Sequence, residues 1–198
     1  MIRNDIRGQS FVEAMVAITI IVSSISSSLA LVQSSITASR IGGTHVVAAN
    51  LAREGLEVAR SIRDTNWLSG RSFQVGLVDP AGKTAKPALD RSTGTWSLRF
   101  GVLTLGDAGT ATYLGADGVY VQADVQPAGS AVSPYFRLLT LDFICRDDAG
   151  GAERIVADGS CLGTETLAGL AVSSAIQWVT VAGSSQTLTA EERFYDWR

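Results

Sequence analysis

The feature that most constrains this chain is an uncharged run close to its N-terminus. Residues 14–39 contain no Asp, Glu, Lys or Arg, and residues 11–32 are apolar or small apart from Glu13. Twenty-two helical residues at about 1.5 Å each reach about 33 Å, which is enough to cross the hydrocarbon core of a membrane. We therefore predict a transmembrane helix over about residues 11–32.

The short segment before this run predicts the orientation of the helix. Residues 1–8 contain Arg3 and Arg7 against the single acid Asp5. Positively charged flanks stay on the cytoplasmic side of a membrane. We expect a single-pass protein of the cytoplasmic membrane whose C-terminal part is extracytoplasmic.

A cleaved secretory signal peptide is the alternative interpretation of this N-terminus. Small residues at positions 26–28 and at Ala30 fit a signal-peptidase site, and cleavage there would release a secreted binding or enzymatic domain. That interpretation leaves Glu13 unexplained. A charge costs at least about 2.5 kcal/mol at the bilayer centre, less near an interface, and usually marks a function. A carboxylate that simply reaches interfacial water is the plainer alternative.

Residues 8–17 have the sequence Gly-Gln-Ser-Phe-Val-Glu-Ala-Met-Val-Ala. With the short basic leader and the apolar run, they resemble the prepilin motif of type IV pilins and type II secretion pseudopilins. The resemblance implies that a prepilin peptidase cleaves after Gly8 and that Gln9 becomes the N-methylated N-terminus. The sequence departs from the family at Gln9, where Phe is commonest.

The resemblance also implies a role for Glu13, which would be the fifth residue of the mature chain. In the family, this carboxylate pairs with the N-terminus of a neighbouring subunit. A carboxylate in an apolar helix bundle is tolerated when it is paired, so the pair sets the register of assembly. The new amino group at Gln9 is also four residues from Glu13, a spacing at which opposite charges on one helix attract.

Beyond the apolar run, residues 44–62 form an amphipathic pattern that extends one helix over residues 9–67. Apolar or small residues fall within an arc of about 80° on one side, and charged residues fall on the other. The first set is Val47, Leu51, Gly55, Val58 and Ile62, and the second is Arg53, Glu57, Arg60 and Asp64. The Gly42-Gly43 pair and the serines of residues 23–28 are the two positions where a bend is expected. Residues 50–67 resemble the helix end of PilV-type minor pilins.

Residues 70–198 are predicted to form a β-rich domain. They hold sixteen of the twenty glycines and all four prolines, and several runs alternate apolar and polar residues. The predicted strands cover residues 72–78, 96–105, 119–125, 135–145, 171–181 and 186–194. The run at 119–125 alternates most regularly, with Val119, Val121, Ala123 and Val125 on one face. We expect an α+β fold in which a mostly antiparallel sheet packs on the C-terminal half of the helix.

Cys145 and Cys161 are the only cysteines. An extracytoplasmic position favours a disulfide between them, and the resemblance implies one, because many pilins have a C-terminal disulfide loop. Two free buried thiols are the alternative.

Other functional classes are disfavoured. His45, the one histidine, has no ligand partner and is expected to lie at a surface or an interface. The loop acids lack EF-hand spacing and are expected to form a solvated loop face, so we expect no metal there. We also expect no cofactor. No basic block indicates nucleic-acid binding, and no catalytic motif indicates an enzyme. The acids considered are Asp107, Asp117, Asp124, Asp147, Asp148 and Asp158.

The resemblance leads to one functional expectation. It implies a structural subunit, most like a minor pilin, of a type IV pilus or related filament. Its partners would be other pilin subunits, the prepilin peptidase, the assembly platform in the cytoplasmic membrane, and membrane lipid before assembly. After assembly the protein would be part of an extracellular filament. The alternatives are a type II secretion or DNA-uptake pseudopilin and a signal-anchored extracytoplasmic binding domain that does not polymerise.

Overall fold

A computed structural model describes residues 7–90, 92–157, 160–180 and 183–196, with only the backbone at residues 7–9. The chain separates into two compact units between Val46 and Val47. That boundary falls inside a single α-helix, α1 (Arg7–Leu68), so the two parts of α1 are described separately. Most of the predicted leader, residues 1–6, lies outside the described residues.

The helix is continuous through both positions where a bend was expected. The serines of residues 23–28 donate their hydroxyls to backbone carbonyls four residues earlier, over 2.6–2.9 Å. The sequence suggested these bonds, and they leave the helical hydrogen bonding intact.

The described residues of the second unit form eight antiparallel strands in one sheet. These are β1 (Thr84–Asp90), β2 (Thr95–Phe100), β3 (Ala111–Leu114), β4 (Tyr120–Gln122), β5 (Ala131–Asp147), β6 (Glu153–Val156), β7 (Glu165–Val179) and β8 (Ser185–Tyr195). The long β5 is central, with β7 and then β8 on one side. On its other side β3, β1 and β6 pair with successive parts of β5, and β4 and β2 lie outside β3 and β1. A short 3-10 helix (Ala108–Thr110) precedes β3.

The last part of α1, residues 47–68, packs on this sheet, and the predicted α+β class is confirmed. Leu51 and Val58 of the predicted stripe are buried, whereas Arg53 and Glu57 of the opposite stripe are exposed. Two apolar clusters form the core. One joins Leu56 and Ala59 to β5, β7 and β8, and the other joins Ala48 and Leu51 to Tyr135, Ile176 and Trp178.

Small residues bring α1 close to the sheet. Gly55 is buried, and a Cβ added there would lie 2.6 Å from the Ser174 hydroxyl oxygen and 3.1 Å from Leu139 Cδ1. Ala52 and Ala59 on the same side of the helix are fully buried. The contact therefore depends on the absence of side-chain volume as well as on apolar character.

Most of the predicted strands are present. Those at 135–145, 171–181 and 186–194 correspond to β5, β7 and β8, and the one at 96–105 corresponds to the shorter β2. The strand predicted at 72–78 is wrong, because residues 73–77 form turns that bury Phe73 and Leu77. The Asn66 amide holds this segment by donating to the carbonyls of Phe73 and Val75, at 3.3 and 2.7 Å.

The apolar face of residues 119–125 is not the buried side of the strand. The strand there ends at Gln122, whose side chain is buried, while Val119 and Val125 are exposed. The Gln122 amide donates to the carbonyls of Thr110 and Arg137. Hydrogen bonding therefore decides which side of this strand faces inward.

Strand β1, which contains Pro87, was not predicted. Its pairing with β5 covers only Thr84 and Ala85, so at Pro87 it pairs with β2 alone. Proline is tolerated where a strand needs no donor on one side. The short strands β3 and β6, of four residues each, were missed as well.

Candidate functional site

The residues predicted to direct processing and assembly lie in the first turns of α1. Gly8 and Gln9 belong to its first turn. Glu13 is exposed, and within the described part of the chain it has no ion pair or hydrogen bond. The carboxylate is thus accessible to a partner outside the chain.

The helix from Ser10 to Val46 presents large apolar side chains to its surroundings. Phe11, for example, is 67% exposed. An 18-residue window of α1 is apolar enough to cross a membrane, and none of that window is buried inside the protein. One N-terminal helix that can span a membrane is what a single-pass membrane protein requires.

Eight of these side chains form a regular stripe, and we call them the apolar stripe. Their spacings alternate between four and three residues, the heptad pattern by which helices pack along a seam. At 100° per residue, Glu13 points about 150° away from the mean direction of the stripe. This period is visible in the sequence, where the run was predicted to span the membrane and to assemble in a helix bundle, but the stripe itself was not identified. The members are Phe11, Met15, Ile18, Val22, Ile25, Leu29, Val32 and Ile36.

The hydroxyl groups of residues 19–28, and that of Thr37, bond to the backbone of their own helix. Besides the serines, Thr19 and Thr37 donate their hydroxyls to the carbonyls of Met15 and Gln33 at 2.8 and 2.9 Å. A hydroxyl that donates within its own helix costs less in lipid than one without a partner. The serine-rich composition is therefore compatible with a membrane environment.

In the second unit, a buried arginine joins α1 to the sheet. The Arg137 side chain is 1% exposed, and its Nη1 lies 3.3 Å from the Leu51 carbonyl oxygen and 3.4 Å from Glu54 Oε1. Its Nε donates to Gln122 Oε1 at 3.1 Å. Burial lowers the pKa of the Arg137 guanidinium, and the Glu54 carboxylate opposes that shift. No sequence pattern indicated this network, because its members are far apart along the chain.

The two cysteines form a disulfide, with Cα atoms 5.5 Å apart. It ties the segment between β6 and β7 to β5. Next to it, Arg154 donates from Nε and Nη2 to the two carboxylate oxygens of Glu165, at 3.2 and 2.8 Å. These hydrogen bonds hold the pKa of Glu165 below its usual value.

Three of the loop acids have structural partners. Asp124 pairs with the buried Lys86 and with Arg99, while Asp117 and Asp147 accept from nearby backbone N–H groups. Asp158 lies outside the described residues. Over the described ranges, the one cluster with metal-ligand geometry is Cys145, Cys161 and Glu165, and its sulfurs are bonded to each other. His45 is exposed, as the sequence predicted.

The candidate functional site is therefore the exposed segment of α1 from Ser10 to Val46, with Glu13 and the apolar stripe on different sides of one helix. No protein-family model, curated protein or solved structure matches this chain.

Proposed function

We propose that this chain is a structural subunit of a type IV pilus or related filament, most similar to a minor pilin. A prepilin peptidase would cleave it between Gly8 and Gln9, and it would assemble through its N-terminal helix. The observation that carries the proposal is the exposed, nearly uncharged segment of α1, in which the Glu13 carboxylate has no partner among the described residues, joined to a unit that has its own core.

The side chains of this segment support assembly. Within the described chain nothing buries the apolar stripe, so the stripe needs lipid or other helices. Lipid alone does not require a heptad period, whereas a heptad period is typical of helices that pack along a shared seam. The same helix can thus lie in the membrane before assembly and among neighbouring helices afterwards.

Glu13 supports the same proposal. Arg40 is the single charged residue in the sequence from Ala14 to Ala52. No other carboxylate in this stretch therefore competes with Glu13 for a cationic partner. Cleavage after Gly8 would place a cationic amino group at the N-terminus of each subunit. In a bundle of apolar helices that amino group is a strong partner for the carboxylate of a neighbour.

Glu13→Ala tests this role in cells that carry the assembly machinery. We expect the variant to enter the membrane normally and to be depleted at least tenfold from sheared filaments, because the helix bundle loses its one ionic register contact. Ser27→Ala is the positional control, since its hydroxyl donates only to the Ser23 carbonyl. Glu57→Ala is the charge control, since Glu57 pairs with Arg60 of the same chain. Incorporation of Glu13→Ala at the level of these controls would contradict the role given to Glu13.

A further inference from the structure

A half-buried tryptophan separates two clefts in the second unit. Trp96 lies on β2, which pairs only with β1 among the described strands, and its backbone is opposite Leu89. Trp178 in the core is 2% exposed, whereas Trp96 keeps part of its surface in solvent. The clefts on its two sides have volumes of about 460 and 630 Å³. Both are in the range of about 300–1,000 Å³ that is typical of small-ligand sites.

The smaller cleft presents hydrogen-bond donors. It is lined by the end of α1, the loop after it, and β2. The Arg71 guanidinium and the Ser61 and Thr65 hydroxyls are exposed and have no hydrogen bond or ion pair with described residues. The Arg71 backbone N–H donates to the Asn66 carbonyl at 2.8 Å, which anchors the loop that carries the guanidinium.

The larger cleft presents a carboxylate and apolar surface. Val121 and Pro127 line it together with Asp117. Asp117 Oδ1 accepts from the Val119 N–H at 3.2 Å, and a carboxylate can accept further hydrogen bonds. Trp96 therefore has a cationic, donor-rich surface on one side and an acceptor on the other.

We propose that this groove, which we call the Trp96 groove, binds a carboxylate-bearing glycan. The indole offers a flat apolar surface for a sugar ring, and aromatic side chains with a wet edge suit such amphipathic contacts. Arg71 would pair with the sugar carboxylate, since a guanidinium matches a carboxylate in two hydrogen bonds. Ser61, Thr65 and Asp117 would bond the sugar hydroxyls. This activity does not depend on filament assembly.

Binding is tested with the full chain in detergent micelles. The probe is a hyaluronan tetrasaccharide, in which glucuronate alternates with N-acetylglucosamine, and the neutral comparison is chitotetraose. Because the charged contact is at the surface, we expect a Kd on the order of 1 mM for hyaluronan, weaker in high salt. Chitotetraose should bind at least fivefold more weakly.

The variants separate the groove from general charge effects. Arg71→Gln should weaken hyaluronan binding about tenfold and leave chitotetraose binding unchanged. Arg53→Gln removes an exposed charge from α1 outside the groove and should change neither affinity by more than twofold. Trp96→Ala should abolish binding of both glycans, and Trp96→Phe should retain part of it. Near-ultraviolet circular dichroism checks the fold of each variant.

Three results would overturn the proposal. The first is that the unmodified chain binds neither glycan. The second is that Arg71→Gln binds hyaluronan as the unmodified chain does. The third is that chitotetraose binds more tightly than hyaluronan, which would refute the assignment of a carboxylate-bearing ligand.

Discussion

The two parts of α1 have the same backbone conformation and different side-chain chemistry. From Ser10 to Val46 the large apolar residues are exposed, and the sequence has two charged residues, Glu13 and Arg40. From Val47 to Leu68 the apolar residues are mostly buried, and the charged ones alternate with them around the helix. Contacts with the sheet explain the composition of the second part. No described residue buries the large apolar side chains of the first part, so its composition reflects partners outside the chain, either lipid or other helices.

The largest effect is expected where the second part of α1 meets the sheet. Arg137→Ala should lower the free energy of unfolding of the second unit by about 3–5 kcal/mol, because Glu54 and Gln122 lose a buried partner and a cavity remains. Urea unfolding followed by near-ultraviolet circular dichroism measures it. Arg137→Met keeps the volume and should cost less. Arg53→Ala, on the exposed side of the same helix, is the control. A cost for Arg137→Ala no larger than that of the control would show that the buried arginine does not hold helix to sheet.

Removal of the disulfide should destabilise the second unit and leave the first unit unaffected. Replacing Cys145 and Cys161 with serine removes a cross-link across a separation of 16 residues, which costs about 3 kcal/mol in the chain-entropy model. At about 2–4 °C per kcal/mol, the Tm of the second unit should fall by about 6–12 °C. Membrane insertion of α1 should be unchanged. A loss of insertion in this variant would show that the two regions are coupled.

Glycine substitutions should have opposite signs in the two parts of α1. Gly55→Ala places a methyl group against Ser174 and Leu139, and we expect a net destabilisation of about 1 kcal/mol after the gain in helix propensity. Gly42→Ala meets no atom within 4 Å and should stabilise its helix segment by up to about 1 kcal/mol. Urea unfolding measures the first, and amide hydrogen exchange of residues 38–46 in micelles measures the second. Stability changes of the same sign for the two substitutions would contradict the contrast between the two parts of α1.

The smallest expected effect concerns acid stability of the second unit. Hydrogen bonding and charge from Lys86, with a contribution from Arg99, hold the pKa of Asp124 below its ordinary 3.8. Since the folded pKa is the lower one, the contribution to stability is present above about pH 4 and is lost as the pH falls through the folded value. Asp124→Asn should cost at most about 1 kcal/mol at pH 6, because the carboxylate is largely exposed, and less at pH 2. An equal cost at the two pH values in urea unfolding would exclude this linkage.

The sequence predicted those features that depend on local periodicity. The apolar run and the stripe of residues 44–62 predicted one long helix, and alternation predicted β5, β7 and β8. Local periodicity could not predict contacts between residues of different segments. The burial of Gln122, on the opposite side of β4 from the apolar face, depends on Arg137 fifteen residues later.

The functional features also differ in whether the sequence alone could predict them. Glu13 and the apolar stripe can be read from the sequence because one helix carries them. The Trp96 groove cannot be read there, since it combines residues 61–76, residues 89 and 94–98, and residues 115–130. Three separate segments become neighbours only after the sheet has formed.

Mass spectrometry of the mature N-terminus tests the central proposal most directly. The protein would be isolated from cells with and without the prepilin peptidase. The account predicts a chain that begins at Gln9, with or without one added methyl group, only when the peptidase is present. A chain that keeps Met1 in both strains, or one that begins beyond Ser28, would contradict assembly as a pilin-like subunit.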